Sequence, residues 1–165
     1  MASDGHRHGR GHHDGGRLKR VREYVGDSTF CMTYGDCVAD LDITALIEFH
    51  RANDAVSTLT AVQPPGRFGA LSISAGGDKI GNFAEKPEGD GGWVNGGFFV
   101  LEPEALDYID GDSTVWEREP LERMAAEERL LAYRHHGFWQ PMDTLHDRMV
   151  LEEQWESGQP QWKLW

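Results

Sequence analysis

Apolar runs of four to eight residues, each cut short by Gly, Pro or Asp, alternate along this chain with stretches of helical period. That alternation restricts it to a layered α/β architecture. Residues 29–34, 58–62, 70–73, 79–84, 94–101 and 130–135 read as strands, the first of them buried. Residues 40–50 read as a helix capped by Asp40 or Asp42, with Ile43, Leu46, Ile47 and His50 on one face. Further helices are expected at 103–109, 117–128 and 144–155, the last turning Leu145, Met149 and Leu151 inward. Residues 17–24 form a short helix or strand-edge piece, and the Gly76-Gly77 pair marks a turn between two strands.

At 165 residues the chain has the length of one ordinary domain. Sixteen basic against 28 acidic side chains leave a net charge of −12, which argues against nucleic acid or an anionic membrane as partner. Anionic ligands remain admissible if they are small and escorted by a metal that inverts the local field. No apolar run approaches a membrane span, and the N-terminus has no secretory core. Cys31 and Cys37 match neither a zinc pair nor a redox motif, so free thiols in a reducing cytoplasm are expected. Residues 1–16 are rich in Gly and hold four of the eight histidines, His6, His8, His12 and His13. They are expected to be disordered, with no fold to fix a metal geometry.

Four constellations carry chemistry. In the first, Gly35 turns the chain out of a strand and leaves Asp36 at its carboxyl end, where open α/β sheets bind ligands. In the second, Pro87 holds Lys86 extended behind Glu85, so that the ammonium can meet a phosphate as a point charge. In the third, Asn95 offers a donor and an acceptor to sugar hydroxyls, while Gly96 and Gly97 allow a close approach or a β-bulge. In the fourth, Asp143 brings a second carboxylate to the start of a helix, where it can cap or coordinate. Two carboxylates at strand ends suit a magnesium ion that also holds a phosphate.

The ordered series formed by 15–21 (GGRLKRV), 34–40 (YGDCVAD), 64–71 (PPGRFGAL), 85–87 (EKP), 95–101 (NGGFFVL) and 138–144 (FWQPMDT) closely resembles the cytidylyltransferase branch of the sugar-1-phosphate nucleotidyltransferases. The resemblance extends to the terminal Trp162-Lys163-Leu164-Trp165. It implies a Rossmann-like fold with a mixed sheet flanked by helices. It also implies that Asp36 and Asp143 hold Mg²⁺, with Lys86 joining them as a catalytic group. Glu85 and Lys86 would grip glucose 1-phosphate, and Gly69 and Asn95 would line the sugar pocket. Gly35 would lie beside the substrate and Gly16 on the nucleotide side. The implied reaction joins CTP and glucose 1-phosphate into CDP-glucose and pyrophosphate, chemistry of positioning and charge neutralisation. His135 and His136 have no part in it. Thymidylyl and uridylyl relatives, or a non-catalytic module binding sugar phosphate, are the alternatives.

Such enzymes open with a strand and a glycine-rich loop containing Gly-Thr-Arg, followed by a lysine. Residues 1–16 stand in place of that leading βαβ unit, and Cys37 stands where glycine is usual. The expectation is therefore a tail at 1–16 and, over 17–165, the C-terminal part of a nucleotidyltransferase domain with impaired turnover and weak stability alone. Cys37 is tolerated only if its φ is negative. Trp155, Trp162, Leu164 and Trp165 form an aromatic tail that either folds back or, as the resemblance suggests, joins subunits in a homo-oligomer.

Overall fold

The computed structural model describes residues 14–64, 70–73, 80–84 and 92–165. Among the described residues, five α-helices, one 3-10 helix and eight strands are arranged as an α/β fold. In chain order they are α1 (Asp14–Lys19), α2 (Arg22–Val25), β1 (Phe30–Thr33), β2 (Cys37–Ala39), α3 (Ile43–Arg51), β3 (Ser57–Val62), β4 (Ala70–Ile73) and β5 (Ile80–Ala84). There follow β6 (Val94–Leu101), a 3-10 helix (Pro103–Tyr108), α4 (Glu119–Ala126), β7 (Leu130–Arg134), β8 (Trp139–Pro141) and α5 (Leu145–Glu156). Among the described residues the principal sheet is mixed and has the order β1-β6-β3-β7, while β2 pairs with β8 and β4 with β5. The turn expected at Gly76 and Gly77 lies outside the described residues.

By its internal contacts the chain divides into two compact units. The first comprises residues 1–31, 50–58 and 100–131. Its buried side chains include Leu18, Leu106, Ile109, Trp116 and Met124. Helix α1 begins at Asp14, ahead of the expected boundary at residue 17, because two glycines let it press onto a neighbouring loop. A Cβ on Gly15 would stand 2.6 Å from the Thr114 carbonyl oxygen, and one on Gly16 2.5 Å from the Asp112 backbone. Asp14 Oδ1 accepts from the backbone N–H of Gly15 and of Trp116 at 2.9 and 3.1 Å, tying both sides of that contact. In the same unit His50 is buried, its Nε2 donating to Glu102 Oε1 at 3.0 Å and its Nδ1 2.8 Å from Thr58 Oγ1. Thr29 donates to the same Glu102 oxygen at 2.8 Å.

The second unit comprises 32–49, 59–99 and 132–165. Asp42 caps α3 by accepting from Ala45 N–H at 2.9 Å, as expected, and Leu46 of that helix is buried. Ile43, expected on the same face, is exposed. Asp40 makes no cap. Its Oδ1 lies 2.9 Å from His135 Nε2, which donates to the Phe138 carbonyl at 3.2 Å. Two other expectations are corrected. Strand β1 is not buried but alternates half-buried and exposed positions, because it lies at the rim of the principal sheet. Leu145 and Met149 are 71% and 58% exposed, so that of the three apolar residues expected to face inward from α5 only Leu151, at 9%, does so. Trp162 stacks on Phe138 with ring centroids 5.9 Å apart, while Leu164 and Trp165 are exposed.

Candidate active site

Asp36 and Asp143 come together through a pairing of two three-residue strands. Strand β2 leaves Asp36 directly, and β8 ends two residues before Asp143. The antiparallel register sets Cys37 opposite Pro141, Val38 opposite Gln140 and Ala39 opposite Trp139. Met142 N–H then donates to the Asp36 carbonyl at 2.7 Å, and at the far end Asp40 N–H donates to Phe138 O at 3.1 Å. The two acidic residues therefore sit at the same end of one ribbon, both exposed. Cys37 reports their joint field. Burial pushes its thiol above the ordinary value of 9.0, and Asp36 and Asp143 each push it further, against a lowering hydrogen bond from Trp139.

The glycines at 96 and 97 serve this ribbon directly. A Cβ on Gly96 would stand 2.8 Å from Val62 Cγ1, and one on Gly97 3.1 Å from both Cys37 Sγ and the Tyr34 ring. Gly97 also has φ +81, a left-handed backbone that side chains disfavour by about 1–3 kcal/mol. The ring held against Gly97 is thus the chain's own Tyr34, which in turn packs on Phe99 with centroids 5.6 Å apart. The Gly96 carbonyl accepts from Trp139 Nε1 at 2.9 Å and from Cys37 Sγ at 3.5 Å. Asn95 accepts from Gly97 N–H at 3.0 Å through Oδ1, and its Nδ2 reaches Tyr34 Oη at 3.5 Å. Cys37 opens a strand, and the one non-glycine residue with positive φ among the described residues is Glu128.

The other expected site residues are distributed differently. Gly35 is exposed with open space around it, which leaves its turn unobstructed. Gly16 belongs to the first unit, packed on Asp112. Gly69, Glu85 and Lys86 lie outside the described residues. Among the described residues no group of three or more His, Cys, Asp or Glu side chains is arranged to hold a metal. Magnesium commonly takes one or two carboxylates and completes its octahedron with water and substrate phosphate, and exposed carboxylates such as Asp36 and Asp143 are the donor type it takes. A cleft of about 430 Å³ beside β8 is lined by His135, Gly137, Phe138 and Gln140 among others, and by neither Asp36 nor Asp143.

Sequence reasoning missed Asp147, a buried carboxylate that accepts from Thr144 N–H at 3.0 Å and from Thr144 Oγ1 at 2.8 Å, both through Oδ2. Its own N–H donates back to Thr144 Oγ1 at 3.2 Å, closing a capping box at the start of α5. The Thr144-x-x-Asp147 spacing carries that signal. The Asp40–His135 contact had none, because it depends on Gly137: a Cβ there would lie 2.2 Å from Asp40 Oδ1.

A sequence profile of the nucleotidyl transferase family matches residues 16–143. Over 152 residues the chain is 59% identical to the glucose-1-phosphate cytidylyltransferase of Salmonella typhi, covering 92% of this chain and 58% of that protein. The probable glucose-1-phosphate cytidylyltransferase of Bacillus subtilis (strain 168) is 40% identical over 151 residues, with 91% and 58% covered. The chain thus spans 58% of the length of these two curated relatives. Among solved structures, HddC from Yersinia pseudotuberculosis superposes with a TM-score of 0.62 at 21% identity, covering 87% of this chain and 63% of that one. Apo UDP-glucose pyrophosphorylase gives a TM-score of 0.61 at 13% identity, with 91% and 62% covered. Those two likenesses speak for the mixed α/β, Rossmann-like fold, and the profile, matching well over half the length, shows that this chain belongs to the nucleotidyl transferase family.

Proposed function

We propose that the chain carries the metal and sugar-phosphate side of a cytidylyl transfer from CTP to glucose 1-phosphate. The observation that supports this most directly is the β2–β8 ribbon, which gathers Asp36 and Asp143 at one end. The 59% identity to a glucose-1-phosphate cytidylyltransferase supports the choice of base and sugar. In this reading Asp36 and Asp143 bind Mg²⁺, which when present supplies charge neutralisation for the phosphates. Lys86 and Glu85 grip the sugar phosphate, and Gly35 and Gly69 let the substrate approach the backbone. Asn95, whose Oδ1 accepts from Gly97 N–H and whose Nδ2 reaches Tyr34 Oη, lines the sugar pocket in this reading. Gly16 stands on the nucleotide side. The phosphate oxygen of glucose 1-phosphate attacks the α-phosphorus of CTP in line, the bond to the β-phosphate breaks, and pyrophosphate leaves. Positioning and electrostatics carry the reaction, and no protein nucleophile is required.

The test uses the full chain with CTP, glucose 1-phosphate and Mg²⁺, following pyrophosphate release together with calorimetric binding of each substrate. Mg²⁺-dependent binding of glucose 1-phosphate that Lys86→Ala weakens at least tenfold is expected, with any turnover lost in Asp36→Ala and Asp143→Ala. Absence of both binding and pyrophosphate release would overturn the reading. Tight sugar-phosphate binding without turnover would instead favour a module that binds but does not transfer. Turnover with dTTP or UTP exceeding that with CTP would move the base assignment. Assembly of copies into a homo-oligomer and a cytoplasmic location belong to the same proposal.

A further inference from the structure

We propose that Asp147 is a positioning residue for Asp143, an inference that rests on the metal-site reading above. Among the described residues no hydrogen bond holds Asp143 itself, while the backbone on either side of it is held. On the near side Met142 N–H is fixed to the Asp36 carbonyl at 2.7 Å. On the far side the Asp147 carboxylate grips Thr144 through Oδ2, taking both its N–H and its hydroxyl. The second oxygen does something a helix cap does not need. Asp147 Oδ1 accepts from Gln140 Nε2 at 3.3 Å, and Gln140 sits in β8 opposite Val38 of the strand that leaves Asp36. One carboxylate therefore clamps residue 140 and residue 144, which bracket Asp143, and couples them to the strand that follows the other acidic residue. Asp147 is only 6% exposed, and such a buried carboxylate is costly unless its lone pairs are filled. Gln140 Nε2, Thr144 N–H and the Thr144 hydroxyl donate to it here, and these three donors belong to the segment that presents Asp143. An asparagine at 147 keeps one acceptor oxygen and turns an NH₂ toward either Gln140 or Thr144, so it opens one jaw of the clamp.

Partners that orient a metal ligand are worth about 10–100-fold in metal affinity. The experiment titrates Mn²⁺, as a spectroscopic stand-in for Mg²⁺, into the full chain by electron paramagnetic resonance without any substrate. Wild type is compared with Asp143→Ala, Asp147→Asn and Gln140→Leu, each checked for folding by circular dichroism. The clamp predicts Mn²⁺ binding weakened about tenfold or more in both Asp147→Asn and Gln140→Leu. Gln140→Leu leaves the capping box intact, so it keeps the test decisive if Asp147→Asn unfolds. A residue acting only as a helix cap would lower the melting temperature of Asp147→Asn and leave Mn²⁺ affinity unchanged in Gln140→Leu, which would overturn the clamp alone. Mn²⁺ bound equally by wild type and Asp143→Ala would overturn the metal reading and the clamp with it.

Discussion

Cys37 stands where two carboxylates, an indole and a carbonyl converge, and its titration follows from that position. Burial and then Asp36 and Asp143 raise its pKa, so the folded protein keeps the thiol protonated past the pH at which the unfolded chain releases the proton. Stability is therefore intact below the ordinary thiol value of 9.0 and falls as pH climbs from there toward the raised native value. Cys37→Ser is expected to flatten the decline of the urea midpoint as pH rises above the ordinary thiol value of 9.0, where Cys31 and Tyr108, whose pKa values are also raised, still contribute a slope. An unchanged slope in Cys37→Ser would show that burial and the two acids do not raise the thiol. Asp36 was legible at this scale because a strand-end Asp after a turn glycine is a recognisable pattern, and Asp143 because it stands at the start of a helix. Their convergence was not, since it depends on which distant strand β2 chooses.

At the scale of elements, β6 was readable to its ends because eight consecutive residues, most of them apolar, leave little choice. Strands β2 and β8 were not, for three residues are too few to show a period of two. The helix α5 is the instructive failure. Its apolar residues invite an inward reading, yet Leu145 and Met149 lie exposed and the buried side of the helix is held by Leu151 and Asp147. A carboxylate doing the work of an apolar anchor hides the true face from any hydrophobic pattern. Leu151→Ala should accordingly cost about 2–4 kcal/mol in urea unfolding. Leu145→Gln and Met149→Gln should each stay within about 0.5 kcal/mol of wild type. Equal losses at 145 and 151 would contradict the exposure described for this helix.

Across the whole chain, 28 acidic side chains face 16 basic ones, and the excess is not absorbed by pairing. Exposed pairs such as Arg20–Asp112 at 2.6 Å and Arg148–Glu152 at 2.7 Å are worth at most about 1 kcal/mol each. Screening weakens those pairs and also relieves the self-repulsion of a net charge of −12. The second effect is the larger here. Raising NaCl from about 0.02 to 0.3 M, which shortens the screening length to below about 10 Å, should therefore raise the melting temperature at pH 7. A fall would mean that the surface pairs outweigh the excess charge. Family membership was legible from ordered motifs spread over the length, because each motif answers a local demand of phosphate chemistry. The division into two compact units was not, because it groups segments distant in the chain.

The indole of Trp139, anchored by its N–H on the Gly96 carbonyl that Cys37 also reaches, gives this ribbon a natural optical probe. Any cation drawn to the neighbouring carboxylates changes the electric field across that ring and so shifts its emission. A chain keeping Trp139 as its sole indole would let occupancy be followed by light alone, with no label attached.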